Sequence, residues 1–282
     1  MRKLIIKIVN NNILWPIIKP FAKLGFFAYR SRKKETVEIT PENFPYLQLF
    51  KKKEVLHGPF QGLKYPAMAS IGSALYPKLL GCYERELHGI IANILLKEYT
   101  EVLDIGCAEG YYAIGLGLKF NNTKIYAYDT DETARDLCNQ MAKLNDIESK
   151  VIVKQTCTAE ELEKFRFNGK ALIICDCEGY EHYLFNNKNI KNLSGCDVLI
   201  ETHDFININI SEYLISLFTE THNVKSIKSI DDIEKVKTYA YKETNGLSLD
   251  DKKHLFSEGR PAIMEWLFCT PKNSAIKING KG

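Results

Sequence analysis

Between Glu101 and Asp129 the chain leaves little freedom of fold. An apolar run, Glu101-Val-Leu-Asp-Ile105, is followed by a turn of small residues (Gly106, Ala108, Gly110), an apolar helical stretch, and a second run, Lys124-Ile-Tyr-Ala-Tyr-Asp129. Strand, turn, helix and strand in that order form a βαβ unit of the nucleotide-binding kind. The small turn lets backbone approach a ligand, and the helix N-terminus behind it offers N–H groups. Asp104 and Asp129 close the two strands at the end where such sheets bind ligands, and Asp129 is placed to accept hydrogen bonds from a ribose diol.

The alternation continues downstream. Strands are expected at 101–105, 124–129, 150–154, 171–176, 197–201, 223–230 and 262–269. Helices are expected at 109–120, 131–145, 159–166, 180–187 and 211–221, and Leu87, Ile90, Ile91, Ile94 and Leu95 place another within 77–99. The runs at 171–176 and 197–200 are apolar almost throughout, as suits central parallel strands covered on both faces. The order predicts an α/β fold with a doubly wound, mostly parallel sheet. A polar insertion is expected at about 231–261. The chain divides into three regions: an N-terminal arm, 1–35; a small cap or hairpin region, 36–76; and the main domain, 77–282.

Charge divides the chain along the same lines. Residues 1–34 hold nine Lys or Arg and no Asp or Glu, which leaves the remainder at a net −6. An acidic body argues against tracking a nucleic-acid backbone. The arm is apolar and basic, yet Lys7, Pro16, Lys19, Pro20 and Lys23 interrupt it, so no span is long enough to cross a bilayer. It reads equally as a segment lying on an anionic membrane surface or as a helix packed on protein. The eight cysteines form no C-x-x-C pair, which points to reduced thiols in a cytoplasmic protein.

The glycine pattern narrows the cofactor. The second glycine of G-x-G-x-x-G is missing, and no Gly-Lys-Ser/Thr is present. Asp104-x-Gly106-x-Ala108-x-Gly110 instead resembles the first motif of class I S-adenosylmethionine-dependent methyltransferases. That resemblance implies a Rossmann-like seven-stranded sheet with an antiparallel seventh strand, and an N-terminal extension preceding it. It also implies a cofactor site at Asp104, Gly106, Ala108, Gly110, Asp129 and Asp176. Ile174-Cys-Asp-Cys-Glu-Gly-Tyr-Glu-His182 looks like the D-x-E-G-x-E signature of the FkbM-type branch, and Val198-Leu-Ile-Glu-Thr-His-Asp204 like its E-x-H strand end. The likeness spans about residues 76–205, with Arg260–Lys272 a looser fit. The first motif departs from the usual form, since many members carry Asn where Ala108 or Glu109 stands.

The FkbM resemblance implies O-methylation of a sugar, glycoconjugate or related metabolite. His203 is the first choice for the base that accepts the hydroxyl proton, followed by Asp204, Asp176 and His182. Some small-molecule O-methyltransferases hold Mg²⁺ with strand-end oxygens. Here Asp176, Glu178, Glu201, His203 and Asp204 are the available donors, but their spacing fixes no metal, and none is assigned. Tyr83 and Glu84 read equally as a roof over the cofactor and as an ordinary helix face. Nucleic-acid and protein methyltransferases are the rival enzymes, and a non-catalytic nucleotide-binding or membrane scaffold protein is the rival outside catalysis. Amino-directed DNA enzymes carry Asn/Asp-Pro-Pro-Tyr/Phe where this chain has Asp176-Cys-Glu-Gly-Tyr180, and Cys175 and Cys177 lack the setting of a nucleophile. The expected location is cytoplasmic, at the inner face of a membrane if the arm docks there.

Overall fold

The computed structural model describes residues 45–272. Of the unit Met1–Leu49 only its last five residues fall in this range, in the 3-10 turn Pro45–Phe50. The sheet and its flanking helices belong to the unit Phe50–Gly282. The arm 1–35 lies outside the described residues.

In chain order the elements are α1 (Leu75–Leu80), α2 (His88–Leu95), β1 (Glu101–Ile105), α3 (Tyr111–Lys119), β2 (Lys124–Tyr128), α4 (Glu132–Leu144), β3 (Val151–Lys154), α5 (Ala159–Lys164), β4 (Ala171–Cys175), α6 (Glu181–Leu184), β5 (Asp197–Thr202), α7 (Ile210–Thr219), β6 (His222–Lys228), α8 (Asp232–Thr238), α9 (Leu249–Phe256) and β7 (Glu265–Pro271). The seven strands form one sheet in the order β3-β2-β1-β4-β5-β7-β6. Neighbours from β3 to β5 pair in parallel, and β7 runs antiparallel between β5 and β6. This is the class I methyltransferase, Rossmann-like sheet that the sequence leads one to expect.

Every residue of β1, β4 and β5 is buried, because helices cover both faces. Strand order reverses between β1 and β4, so the carboxyl ends of these strands open the crevice in which a ligand sits.

Two differences from the sequence reading have clear causes. The helix expected within 77–99 is two helices. Gly81 breaks it at φ 84°, and a Cβ there would stand 2.0 Å from the His57 carbonyl oxygen. The polar insertion is itself helical: α8 and α9 are N-capped by Asp231 and Ser248, whose side chains accept from the N–H groups of Ile233 and Asp251. Among the described residues before α1, an antiparallel bridge joins Glu54 to Lys64.

One buried acid gives the fold a pH signature. Both carboxylate oxygens of Glu86 are buried without a hydrogen-bond partner. Burial, reinforced by the charge of Glu258, pushes its pKa up to about 7. The folded chain therefore holds this proton more tightly than the unfolded one. Its contribution is intact at low pH and is lost as pH rises from the ordinary glutamate value to about 7. Glu86→Gln is expected to stabilise the protein on the order of 1–3 kcal/mol at pH 8. At pH 5 it should change little, and urea unfolding at the two pH values is the check.

Candidate functional site

A cavity of about 290 Å³ opens at the reversal point, and its walls include Asp104, Ala108, Asp129, Asp176 and Glu178. Its floor is the turn after β1. Gly106 sits at φ 84°, and a Cβ on it would lie 1.6 Å from the Asp176 carbonyl oxygen. The N–H groups of Gly106 and Cys107 both donate to the Tyr128 carbonyl, at 2.8 and 2.9 Å. Gly106 thus lets the ends of β1, β2 and β4 meet. Gly110, at φ 100°, leaves room for Cys138 of α4, whose Sγ would stand 2.9 Å from an added Cβ. The space these two glycines free is filled by the protein itself; Gly106 and Ala108 (φ 47°) also line the cavity, and Gly110 does not.

Asp129 lies in the cavity wall. One carboxylate oxygen accepts from Ala108 N–H at 2.8 Å and the other from Asp131 N–H at 2.9 Å. Each oxygen keeps a lone pair for a ligand hydroxyl. Asp104 is nearly fully buried in the same wall, and its Oδ2 accepts no hydrogen bond. Burial pushes its pKa up to about 7 against the Ala113 N–H, and the Asp129 charge adds to the rise. A buried carboxylate oxygen without a donor, next to a second carboxylate, suits a ligand carrying an ammonium and a ribose.

The roof depends on a residue the sequence reading passed over. Glu109, in the middle of the turn, accepts from Lys78 Nζ (2.7 Å), Ser70 Oγ (2.9 Å), Ile71 N–H (3.1 Å) and Tyr65 O–H (3.3 Å). Burial alone would raise its pKa, but the Lys78 ammonium outweighs that and holds it below the ordinary range. This buried pair ties residues 70–78 to the turn, and Ile71, Ser73 and Lys78 line the cavity. An acidic side chain inside a turn of otherwise small residues was the available signal. Tyr83 also lines the cavity; Glu84 does not.

At the β4 and β5 ends the carboxylates crowd together. Asp176 and Glu178 line the cavity, and His203 stands behind them with its side chain 3% exposed. His203 Nδ1 is 2.9 Å from Glu181 Oε1; its Nε2 lies 3.5 Å from Asp176 Oδ1 and 3.4 Å from Glu178 Oε2. Glu181 is fixed by the N–H groups of Cys177 and Gly179. Burial, followed by the charges of Glu84 and Glu178, pushes the Asp176 pKa up to about 8. The other two candidate bases lie elsewhere. Asp204 accepts from Ser211 N–H in the first turn of α7, and His182 packs against Tyr183 with the rings tilted by 42° and their centroids 3.7 Å apart. Neither lines the cavity.

Behind this rim, Arg260 bonds three carboxylates: Glu84 (2.5 Å), Glu258 (2.8 Å) and Glu201. Lys235, fully buried, pairs with Glu258 at 2.8 Å. The helical insertion therefore supplies the counter-charges beneath the site. Burial keeps thiols of the rim in the protonated form. Cys157 is pushed up to about 12 by burial, and the buried Cys175 thiol, 3.5 Å from that of Cys177, is also raised.

Comparison with known proteins finds one family model and a set of distantly similar structures. Residues 83–176 match the family model of ribosomal protein L11 methyltransferase (PrmA). Comparison with curated proteins by sequence gives no match. Among solved structures, a Klebsiella pneumoniae protein assigned as an O-methyltransferase is similar at 7% identity, over 68% of this chain and 81% of its own, with a TM-score of 0.46. An O-methyltransferase from Bacillus cereus in complex with SAH is similar at 9% identity over 64% and 77%, with a TM-score of 0.43. A Clostridium thermocellum protein assigned as an rRNA methylase is similar at 11% identity over 66% and 97%, with a TM-score of 0.44. At such low identities the sheet order itself carries the fold. The chain has the class I methyltransferase fold and, from Tyr83 to Asp176, the sequence pattern of a methyltransferase family.

Proposed function

We propose that this protein is an S-adenosylmethionine-dependent O-methyltransferase of the FkbM type, acting on a hydroxyl of a sugar, glycoconjugate or related metabolite. The observation that carries this reading is one cavity that two pairs of acidic residues line, Asp104 with Asp129 and Asp176 with Glu178. The first pair suits the cofactor's ammonium and ribose, and the second receives the acceptor. Methyl transfer from a sulfonium is an in-line displacement, so holding the acceptor oxygen in line with the methyl group supplies much of the gain. The hydroxyl proton leaves into the carboxylate–imidazole group formed by Asp176, Glu178 and His203.

Calorimetry with S-adenosylmethionine tests the cofactor half. Asp129→Ala is expected to weaken binding at least ~30-fold, since a diol loses a bidentate carboxylate partner. Deleting residues 1–34 should leave binding unchanged. Well-folded protein that binds no cofactor would favour the scaffold reading. For the acceptor, mass spectrometry of cell-surface glycans from a deletion strain is expected to show a lost methyl group; an unchanged profile counts against a glycan. The family model favours a second reading, methylation of a protein, but its match ends at Asp176, before the β5 residues of the acceptor end. We read the basic arm as a contact with the inner face of a membrane, where lipid-linked glycans would be within reach.

A further inference from the structure

We infer that Asp176, Glu178 and His203 form a binding site for one divalent transition-metal ion of the Mn²⁺, Fe²⁺ or Zn²⁺ kind. Their ligand atoms all lie within 4.8 Å of one another. Two donors bound side by side to one ion at about 2.1 Å stand about 3 Å apart. The His203 Nε2 to carboxylate distances of 3.4 and 3.5 Å need to shorten only by a few tenths of an ångström.

Three further observations point the same way. Asp176 Oδ1 is buried and accepts no hydrogen bond, which leaves a desolvated acceptor facing the imidazole. A carboxylate, Glu181, lies 2.9 Å from His203 Nδ1, on the side where metal-bound histidines keep a second partner, and Nε2 is left toward the other two donors. Finally, carboxyl groups crowd the imidazole. Asp176, Glu178, Glu181 and Glu201 all come within 4.0 Å of His203, while Arg260 is engaged by Glu201, Glu84 and Glu258.

The donor set also selects the ion. Mg²⁺ prefers oxygen ligands alone, whereas an imidazole with two carboxylates suits the later first-row metals. The Mg²⁺ considered from the sequence therefore fits these residues poorly. Asp176 and Glu178 line the cavity, so the open coordination positions face the acceptor. An ion there would lower the pKa of a hydroxyl that it coordinates, and the proton would leave to the carboxylate oxygen of Asp176 or Glu178 that the ion does not bind. This last role rests on the proposed function; the site itself does not.

The test is calorimetric titration of full-length, metal-stripped protein with Mn²⁺, Zn²⁺ and Mg²⁺, beside S-adenosylmethionine as a separate titrant. The expected result is one equivalent of Mn²⁺ or Zn²⁺, with Mg²⁺ at least ~100-fold weaker. His203→Ala should lose at least ~100-fold in metal affinity and leave cofactor binding intact. Bound Mn²⁺ should show coupling to an imidazole nitrogen by pulsed electron paramagnetic resonance, absent in His203→Ala. Glu178 is largely exposed, so Glu178→Gln provides a variant that folds normally, with metal affinity reduced at least ~10-fold. Cofactor-binding protein that takes up no stoichiometric metal overturns the site, as does undiminished metal affinity in both variants; His203 would then be only a protonated counter-charge. Metal uptake without cofactor binding would leave the site standing and remove the proposed function.

Discussion

Replacing Arg260 with methionine is expected to destabilise the fold by about 3–5 kcal/mol, the usual cost of removing one partner from a buried ion-pair group. The guanidinium is 13% exposed and binds Glu84, Glu201 and Glu258, all buried side chains. Methionine fills much of the same volume, so the loss is chiefly electrostatic. Burial already lifts the Glu84 pKa, and Arg260 restrains that rise. Without Arg260, Glu84 takes up a proton in the folded state more readily than in the unfolded state. The deficit should therefore deepen as pH rises above neutrality. Urea unfolding of Arg260→Met at pH 6 and pH 9 reads both effects. A variant within ~1 kcal/mol of the parent at both would mean that water, not the protein, solvates these carboxylates. Arg260→Lys should recover only part of the loss, because one ammonium cannot bond three carboxylates in the guanidinium's plane.

Gly106→Ala is expected to abolish cofactor binding, with at least ~100-fold lost in affinity. An alanine at φ 84° is strained by about 1–3 kcal/mol. Its methyl group would also need the Asp176 carbonyl, 1.6 Å away, to move, at a further cost of about 1–3 kcal/mol. That carbonyl belongs to the backbone of the β4 end, so the shift separates β1 from β4 where the cavity floor lies. Gly110→Ala is the informative control. Its φ is also positive, but the added methyl meets the side chains of Cys138 and Ile114. It should lose comparable stability and far less affinity. Calorimetry and urea unfolding on both variants separate the two roles. Equal affinity losses would show that the turn, and not the strand junction, is what the cofactor reads.

The sheet and its reversal point were legible because burial is written in short-range pattern. β1, β4 and β5 are largely apolar runs bounded by turns, and Asp104, Asp129 and Asp176 mark strand ends. The small-residue turn was found as well, though for an incomplete reason: Gly106 and Ala108 line the cavity, but Gly106 also lets two strand ends meet, and Gly110 serves a helix contact. What escaped depends on distant partners. Arg260 meets Glu84 across 176 residues and Glu201 across 59, and no periodicity signals such a meeting. Glu109 reaches Lys78 of α1 in the same way. The candidate bases show the limit of one-dimensional reading. His203, Asp204, Asp176 and His182 all stand near strand ends, yet of these only Asp176 touches the cavity.

The position of β7 has a consequence for how the chain is made. β6 leaves the ribosome before β7, but β7 lies between β5 and β6. Until Glu265–Pro271 has emerged, β5 offers a bare edge, rich in apolar side chains, with nothing to pair it. A chain truncated before that segment should aggregate, and β7 must be made before the sheet is safe in solution.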